Sequence, residues 1–394
     1  MSIQLSKLRS FLLIAAVVLS NIAVMGEFAT FPIVDTLYDQ FPDQKFWVDT
    51  WMSINQWTII IFSILGALIL RKVSKKTMLI AGAVIFTLSG ALGAVESSIV
   101  LMVILRALYG IGVAFCNVGA VAVVAEVYTD EDKMNWVMGI YNSLQAAIGA
   151  VISALGGVLG TIGWTAPFKL LWSGVIMIVV FIFCIPYIKP EGKAAEHAEK
   201  KESAPLGITF WLTTLAFILF AVAYAVPSQY ASSYVVENGI GDEAVAGLLG
   251  SLGTIGSFVF CLFYERMFRL VNRKVIIIWY LMAAILIAIM FFLPMKGLCY
   301  ALFLIVGGSM SIACTYTYAI IPSIVAPSRV DDGIGILTAA CCAGYAIAPY
   351  FTSLIQKLLG TENITPTFIF SAGAALIAAL IEIFMPRRQL LKER

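Results

Sequence analysis

Charge is scarce in this chain. Only 12% of its 394 residues are Asp, Glu, Lys or Arg, while 61% are hydrophobic and the mean hydropathy is +0.96. No water-soluble domain of this length could hide so much apolar surface. Histidine is represented once, by His197. There is no H-E-x-x-H pair and no G-x-x-x-x-G-K-[ST] loop, so zinc hydrolysis and a nucleotide cradle both lack their residues. Cys116, Cys184, Cys261, Cys299, Cys314, Cys341 and Cys342 all lie in or beside apolar runs. They show no metal-ligand spacing, and no pair sits in an exposed loop, so neither a disulfide framework nor a zinc site is implied. An enzyme is not expected, and no cofactor or metal is. Without an ATP site, any uphill work must draw on ion or solute gradients.

The apolar residues are present in bulk, as twelve long runs. They cover 10–32, 47–70, 77–95, 98–124, 136–160, 166–188, 208–233, 244–264, 274–294, 298–321, 333–356 and 366–386. A bilayer core about 30 Å thick needs roughly 20 apolar residues of helix, which each run approaches or exceeds. The first run is longer than a signal peptide's apolar core and ends in no A-x-A pattern, so an uncleaved helix is expected. The chain reads as an all-α membrane protein with 12 transmembrane helices.

Lysine and arginine set its orientation. Twenty of the 25 fall at the termini and in alternate loops, which places both termini in the cytoplasm of a cell that keeps this chain in its inner or plasma membrane. Only Lys45, Lys169, Lys296 and Lys357 fall in outside loops, and Arg106 lies within a span. The net charge of +2 therefore reports topology, and no nucleic-acid partner is expected.

The single long charged interior stretch, 189–205, reads as a cytoplasmic linker between an N-terminal half, 1–188, and a C-terminal half, 206–394. The halves repeat. Arg71-Lys-Val-Ser-Lys-Lys76 aligns with Arg269-Leu-Val-Asn-Arg-Lys274 at an offset of 198, and the same offset places Gly110 on Gly308. Two pseudo-symmetric six-helix bundles are a transporter architecture, with substrate held near the bilayer midplane between repeats.

Specific motifs sharpen this. Gly66-Ala-Leu-Ile-Leu-Arg71-Lys-Val-Ser-Lys-Lys76 resembles the G-x-L-a-D-r-x-G-r-r loop of the major facilitator superfamily, with Leu70 in place of its Asp and Val73 in place of its second Gly. Arg106-Ala-Leu-Tyr-Gly110-Ile-Gly112 fits that family's R-x-x-x-G-x-G, and Gly163-Trp164 also fits. In span 5, Gly149 and Gly156-Gly157 resemble the antiporter motif, but its Gly-Pro reads Ile152-Ser153. Phe41-Pro42-Asp43 and its surroundings look most like bacterial drug and sugar-efflux permeases. The resemblance spans essentially the whole chain and implies the major facilitator fold. It further implies a conformational latch on the cytoplasmic face, from Gly66, Arg71, Lys75, Lys76 and Glu126. Without the family's Asp, that latch would rest on Arg71 and Glu126.

Glu27 and Arg106 read as the only ionisable residues well inside spans, at similar depths in spans 1 and 4. An intramembrane charge is rarely retained without a partner or an aqueous cavity, so the two are expected to pair. The pair is either a static bridge between helices or a site where proton or substrate competes. Around it, Arg106, Gly110, Val113 and Asn117 share one helical face. Asn21, Asn142 and Gln145 are candidate lining residues; Asn55 and Gln56 are weaker candidates because amides also pair between helices. The second half reads as having no buried charge, with Glu382, like Glu126, near the cytoplasmic surface. It has tyrosines instead. Tyr224, Gln229, Tyr230, Tyr316 and Tyr345 are candidates for substrate contact, with core packing as the competing role, and Pro227 and Pro349 are expected to kink their helices. An aromatic wall with one charged pair suits a small amphipathic or aromatic solute. The expected function is a monomeric secondary active transporter working by alternating access, as proton-coupled efflux. The alternative is an organic-anion uptake carrier or exchanger anchored by Arg106.

Overall fold

A computed structural model describes residues 7–70, 72–93, 98–128, 130–187, 206–326 and 329–385. Arg71, the 189–205 stretch with His197, and the basic C-terminal tail lie outside the described residues. The chain divides into two compact units, 1–197 and 198–394.

The first unit runs α1 (Lys7–Leu19), α2 (Asn21–Met25), α3 (Val34–Gln40), α4 (Lys45–Ile69), α5 (Lys75–Leu92), α6 (Ile99–Val127), α7 (Glu131–Gly160) and α8 (Gly174–Cys184). The second runs α9 (Ile208–Gln229), α10 (Ala231–Glu237), α11 (Glu243–Leu262), α12 (Tyr264–Val271), α13 (Lys274–Phe292), α14 (Lys296–Ile324), α15 (Val330–Leu359) and α16 (Thr365–Phe384). No strand occurs among the described residues. Eleven described segments are long and apolar enough to cross a membrane, and α4 adds an element of 25 residues. Lipid offers no partner to a bare N–H or C=O, so helix is the form in which such runs cross.

Three segments depart from the expectation of smooth helices, among them span 6, whose first eight residues, Ala166–Ser173, form a 3-10 helix. Span 1 does not end near residue 32. It continues to Gln40 and is broken by 3-10 turns at Gly26–Ala29 and Phe31–Ile33. The break is tolerated because Gly26, Phe28, Ala29, Thr30, Phe31, Pro32 and Ile33 are all buried in protein. Span 7 breaks at Tyr230, three residues past Pro227, where the ring has removed a donor from the ladder. By contrast α15 runs through Pro349 as one helix.

Small residues set how closely the helices approach. A Cβ at Gly110 would stand 2.5 Å from the Asn55 carbonyl oxygen of α4. At Gly112 it would stand 2.5 Å from the Phe86 backbone nitrogen of α5 and 2.8 Å from the Gly82 oxygen. The two glycines of the Arg106 motif thus seat α6 against α4 and α5 together. In the second unit Gly256 packs on the Leu304 backbone and Gly307 on Gly253, joining α11 to α14 in the same manner. Caps complete the frame: the Glu237 carboxylate accepts from the free Ile364 and Thr365 N–H groups (2.6 and 3.2 Å) at the start of α16.

These contacts give a stability test. Gly112→Ala should lower the thermal unfolding midpoint of the purified protein, with an overpacking penalty of about 1–3 kcal/mol. Gly139→Ala meets nothing within 4 Å and should not lower it. Equal midpoints for Gly112→Ala and wild type would refute the close-approach account.

Candidate functional site

The break in the first span presents Glu27 to α4. Glu27 is half-buried, and two amides donate to its carboxylate: Asn55 Nδ2 to Oε2 at 2.7 Å, and Gln56 Nε2 at 2.9 and 3.1 Å. Asn55 is fully buried and Gln56 nearly so. The 3-10 turn can sit where it does because Gly156 of α7 leaves room for Ala29, whose Cα would stand 2.8 Å from a Cβ there. Thr30 closes the turn by donating its hydroxyl to the Glu27 carbonyl at 2.9 Å.

Arg106 lies on the buried face of α6. Its guanidinium is sandwiched between aromatic rings, 4.5 Å from the Trp51 centroid and 4.7 Å from that of Tyr109. Rings offer it their negative faces, a partial substitute for water. It donates one long hydrogen bond, from Nη2 to Thr30 Oγ1 at 3.4 Å, and its buried Nε has no hydrogen-bond partner. A small pocket bordered by Arg106, Trp51, Tyr109, Ser89 and Phe168 adjoins it.

The expected direct ion pair is therefore absent. Contact ion pairs do form elsewhere, among them Lys75–Glu126, Arg269–Glu265 and Arg329–Asp332, but Glu27 and Arg106 form none with each other. Glu27 and Arg106 remain within electrostatic reach of one another, but the carboxylate spends its hydrogen bonds on Asn55 and Gln56. The weaker candidates of span 2 turn out to be the partners. The signal was available: three side chains with no place in lipid, on spans 1 and 2, have reason to find each other.

Two further acids, near the ends of their spans, are buried in protein. Asp49 of α4 is buried and accepts from the Tyr38 hydroxyl at 2.5 Å. Glu382 of α16 is buried too, electrostatically coupled to Tyr280, so the second unit does hold a buried carboxyl. One helical turn near an end suffices for burial when a neighbouring helix covers it.

The remaining candidates fall into separate groups. Asn21 donates to the Tyr141 carbonyl at 3.0 Å, and the Tyr141 hydroxyl donates to Asn117 at 3.3 Å, so both amides tie their helices to α7. Asn142 is exposed and Gln145 half-buried. In the second unit Tyr224 and Tyr345 meet edge-on at 6.0 Å, and Gln229 Nε2 donates to the Tyr345 carbonyl at 3.1 Å. The buried Gln229 Oε1 has no partner. Tyr230 and Tyr316 are buried within that unit. At the far end of α5, Lys75 pairs with Glu126, and Lys76 donates to the Ile182 carbonyl at 2.6 Å. Glu126 thus takes Lys75 as its partner, a role the sequence suggested for Arg71, which lies outside the described residues. Gly66 lets α4 approach Met78, whose Cε would stand 2.7 Å from a Cβ there.

This architecture has solved counterparts. A bacterial homologue of the human lysosomal transporter Spinster, captured inward-facing and occupied, superposes with a TM-score of 0.75 at 14% identity, covering 99% of this chain and 100% of that one. The nucleoside transporter NupG gives a TM-score of 0.75 at 12% identity over 95% of this chain and 99% of its own. A peptide transporter, POT, gives 0.76 at 14% identity over 96% and 94%. At such identities the likeness is one of fold. No curated sequence matches the chain. A sequence profile does, described as Major Facilitator Superfamily and matching residues 16–318. With two helical units, an intramembrane carboxylate held by amides and a profile match over most of its length, the chain belongs to the major facilitator superfamily: it is a multi-pass membrane transporter.

Proposed function

We propose that this transporter is a proton-coupled exporter of a small amphipathic or aromatic organic solute, working by alternating access with Glu27 as its proton carrier. One observation carries the reading: the Glu27 carboxylate accepts only from amide donors and has no ion pair at contact distance. Protonation turns one carboxylate oxygen into a donor facing N–H groups that are donors themselves. Proton uptake removes the charge these amides solvate, weakens the contacts between the turn at Gly26–Ala29 and α4, and so couples charge to the packing of a broken helix. Arg106, within electrostatic reach, supplies the cation that favours renewed ionisation. The antiporter-like glycines of span 5 support this reading through Gly156, which seats that turn.

The monomer lies in the cell membrane with both termini in the cytoplasm, as the lysine and arginine count favours. The Lys75–Glu126 pair, Lys76 and Gly66, with Arg71, form the latch on that side. In the second unit the Tyr224–Tyr345–Gln229 cluster contacts the solute, its unpartnered amide oxygen offering an acceptor. A second reading is favoured by a different observation: the unpartnered Nε of Arg106 beside a pocket suits an organic anion, taken up or exchanged.

Glu27→Gln should insert and fold, yet lose the dependence of transport on a pH gradient in proteoliposomes. Accumulation driven equally well in that variant and wild type would sink the proton role. Arg106→Gln separates the two readings. If an anion binds there, the variant loses its binding while Glu27→Gln retains it; if not, solute affinity changes little in Arg106→Gln and the pH-gradient response fails.

The aromatic contribution is tested at Tyr345, the half-buried member of its cluster. Stacking survives loss of a hydroxyl but not of a ring. Tyr345→Phe should keep most of the affinity, while Tyr345→Ala should lose roughly fivefold, about 1 kcal/mol. Unchanged affinity in the alanine variant, measured on purified protein, would remove Tyr345 from the site.

A further inference from the structure

The helix α12 has a character of its own. Its eight residues, YERMFRLV, put Tyr264, Met267, Phe268 and Val271 on one side and Glu265, Arg266 and Arg269 on the other. None of the eight is buried. The apolar side is half-covered by the protein, and its margin is open: Leu270 is 75% exposed, and Leu262 and Phe263, just before the helix, are 64% and 50% exposed.

Cations dominate the opposite side of the helix and the turn that follows it. Arg266, Arg269, Arg273 and Lys274 fall within nine positions, against a single acid, Glu265, which pairs with Arg269. Position then narrows the neighbours. α11 ends at Leu262 and α13 begins at Lys274, and both are apolar enough to cross a membrane. Asn272, with a φ of 51°, turns the chain directly into α13. α12 is thereby held at the level where two spans leave the bilayer, on the side where the sequence gathers its lysine and arginine.

We propose that α12 is an interfacial helix whose arginines bind the headgroups of anionic phospholipids, while Leu270 and Phe263 enter the acyl boundary. An exposed apolar margin beside an excess of cations, on a helix between the ends of two spans, matches what an anionic leaflet presents. Guanidinium also grips phosphate through two parallel N–H bonds, which an ammonium does not. Such binding would tie the connection between α11 and α13 to membrane composition, independently of how Glu27 acts.

Amide hydrogen exchange on the full-length protein in nanodiscs tests this. Adding phosphatidylglycerol to phosphatidylcholine should slow exchange in residues 264–271 about fivefold or more, the worth of roughly one surface cation. The protection should weaken as salt rises to about 1 M, because the contacts are electrostatic. Replacing Arg266, Arg269 and Arg273 together by Gln should abolish the difference between the two membranes. Equal exchange in both lipid compositions would overturn the proposal, as would a phosphatidylglycerol effect that survives the triple substitution. Protection already complete in phosphatidylcholine would assign the surface to a protein contact instead, and overturn it too.

Discussion

A carboxylate within a membrane-spanning segment must take its hydrogen bonds from protein, and in the first unit the surroundings of Glu27 follow from that requirement. Asn55 and Gln56 point their amides at it from α4. To meet them, the first span departs from α geometry at Gly26–Ala29, and the turn must then be buried so that its own backbone is not left in lipid. Gly156 supplies the space on one side, and Tyr109 presses on Gly26 from another. Arg106 completes the arrangement from α6, held between Trp51 and Tyr109 and tied weakly to Thr30 of the same turn.

Dividing the two charges among different partners has a functional consequence. A contact ion pair in a low-dielectric interior is hard to open, because separation strands both charges. Here each charge has its own support, amides for the anion and ring faces for the cation. Changing the state of one leaves the other its support, which fits the proton cycle proposed for Glu27. The same economy appears at the opposite end of α5, where Lys75 and Glu126, both partly exposed, form a bridge that water can help to open.

Glycine is the structural counterpart of these polar contacts. In lipid no hydrophobic force drives helices together, so close backbone approach and van der Waals contact hold the bundle. Gly110 and Gly112 on α6, and Gly256 and Gly307 in the second unit, provide that approach in each half. The family motif containing Arg106 is thus both a charge and the packing that buries it.

Much of this was legible in the sequence. The apolar runs dictated helices because lipid leaves the backbone no alternative, and the motif around Arg106 placed the chain in its family. Glu27 and Arg106 stood out because a charge in a span needs a reason. Their partners could not be read. Rise per residue gives depth along a helix, but the direction a side chain faces depends on helix rotation. A 3-10 turn adds about 20° per residue to that rotation, so α-helical spacing along the sequence does not give the face that Glu27 takes after Gly26. Burial of Asp49 and Glu382 was hidden for a related reason, since cover comes from neighbouring helices whose packing no single run of residues specifies. Composition and charge determined that this protein spans a membrane and which segments do so; only the packing of helices decided which polar groups meet.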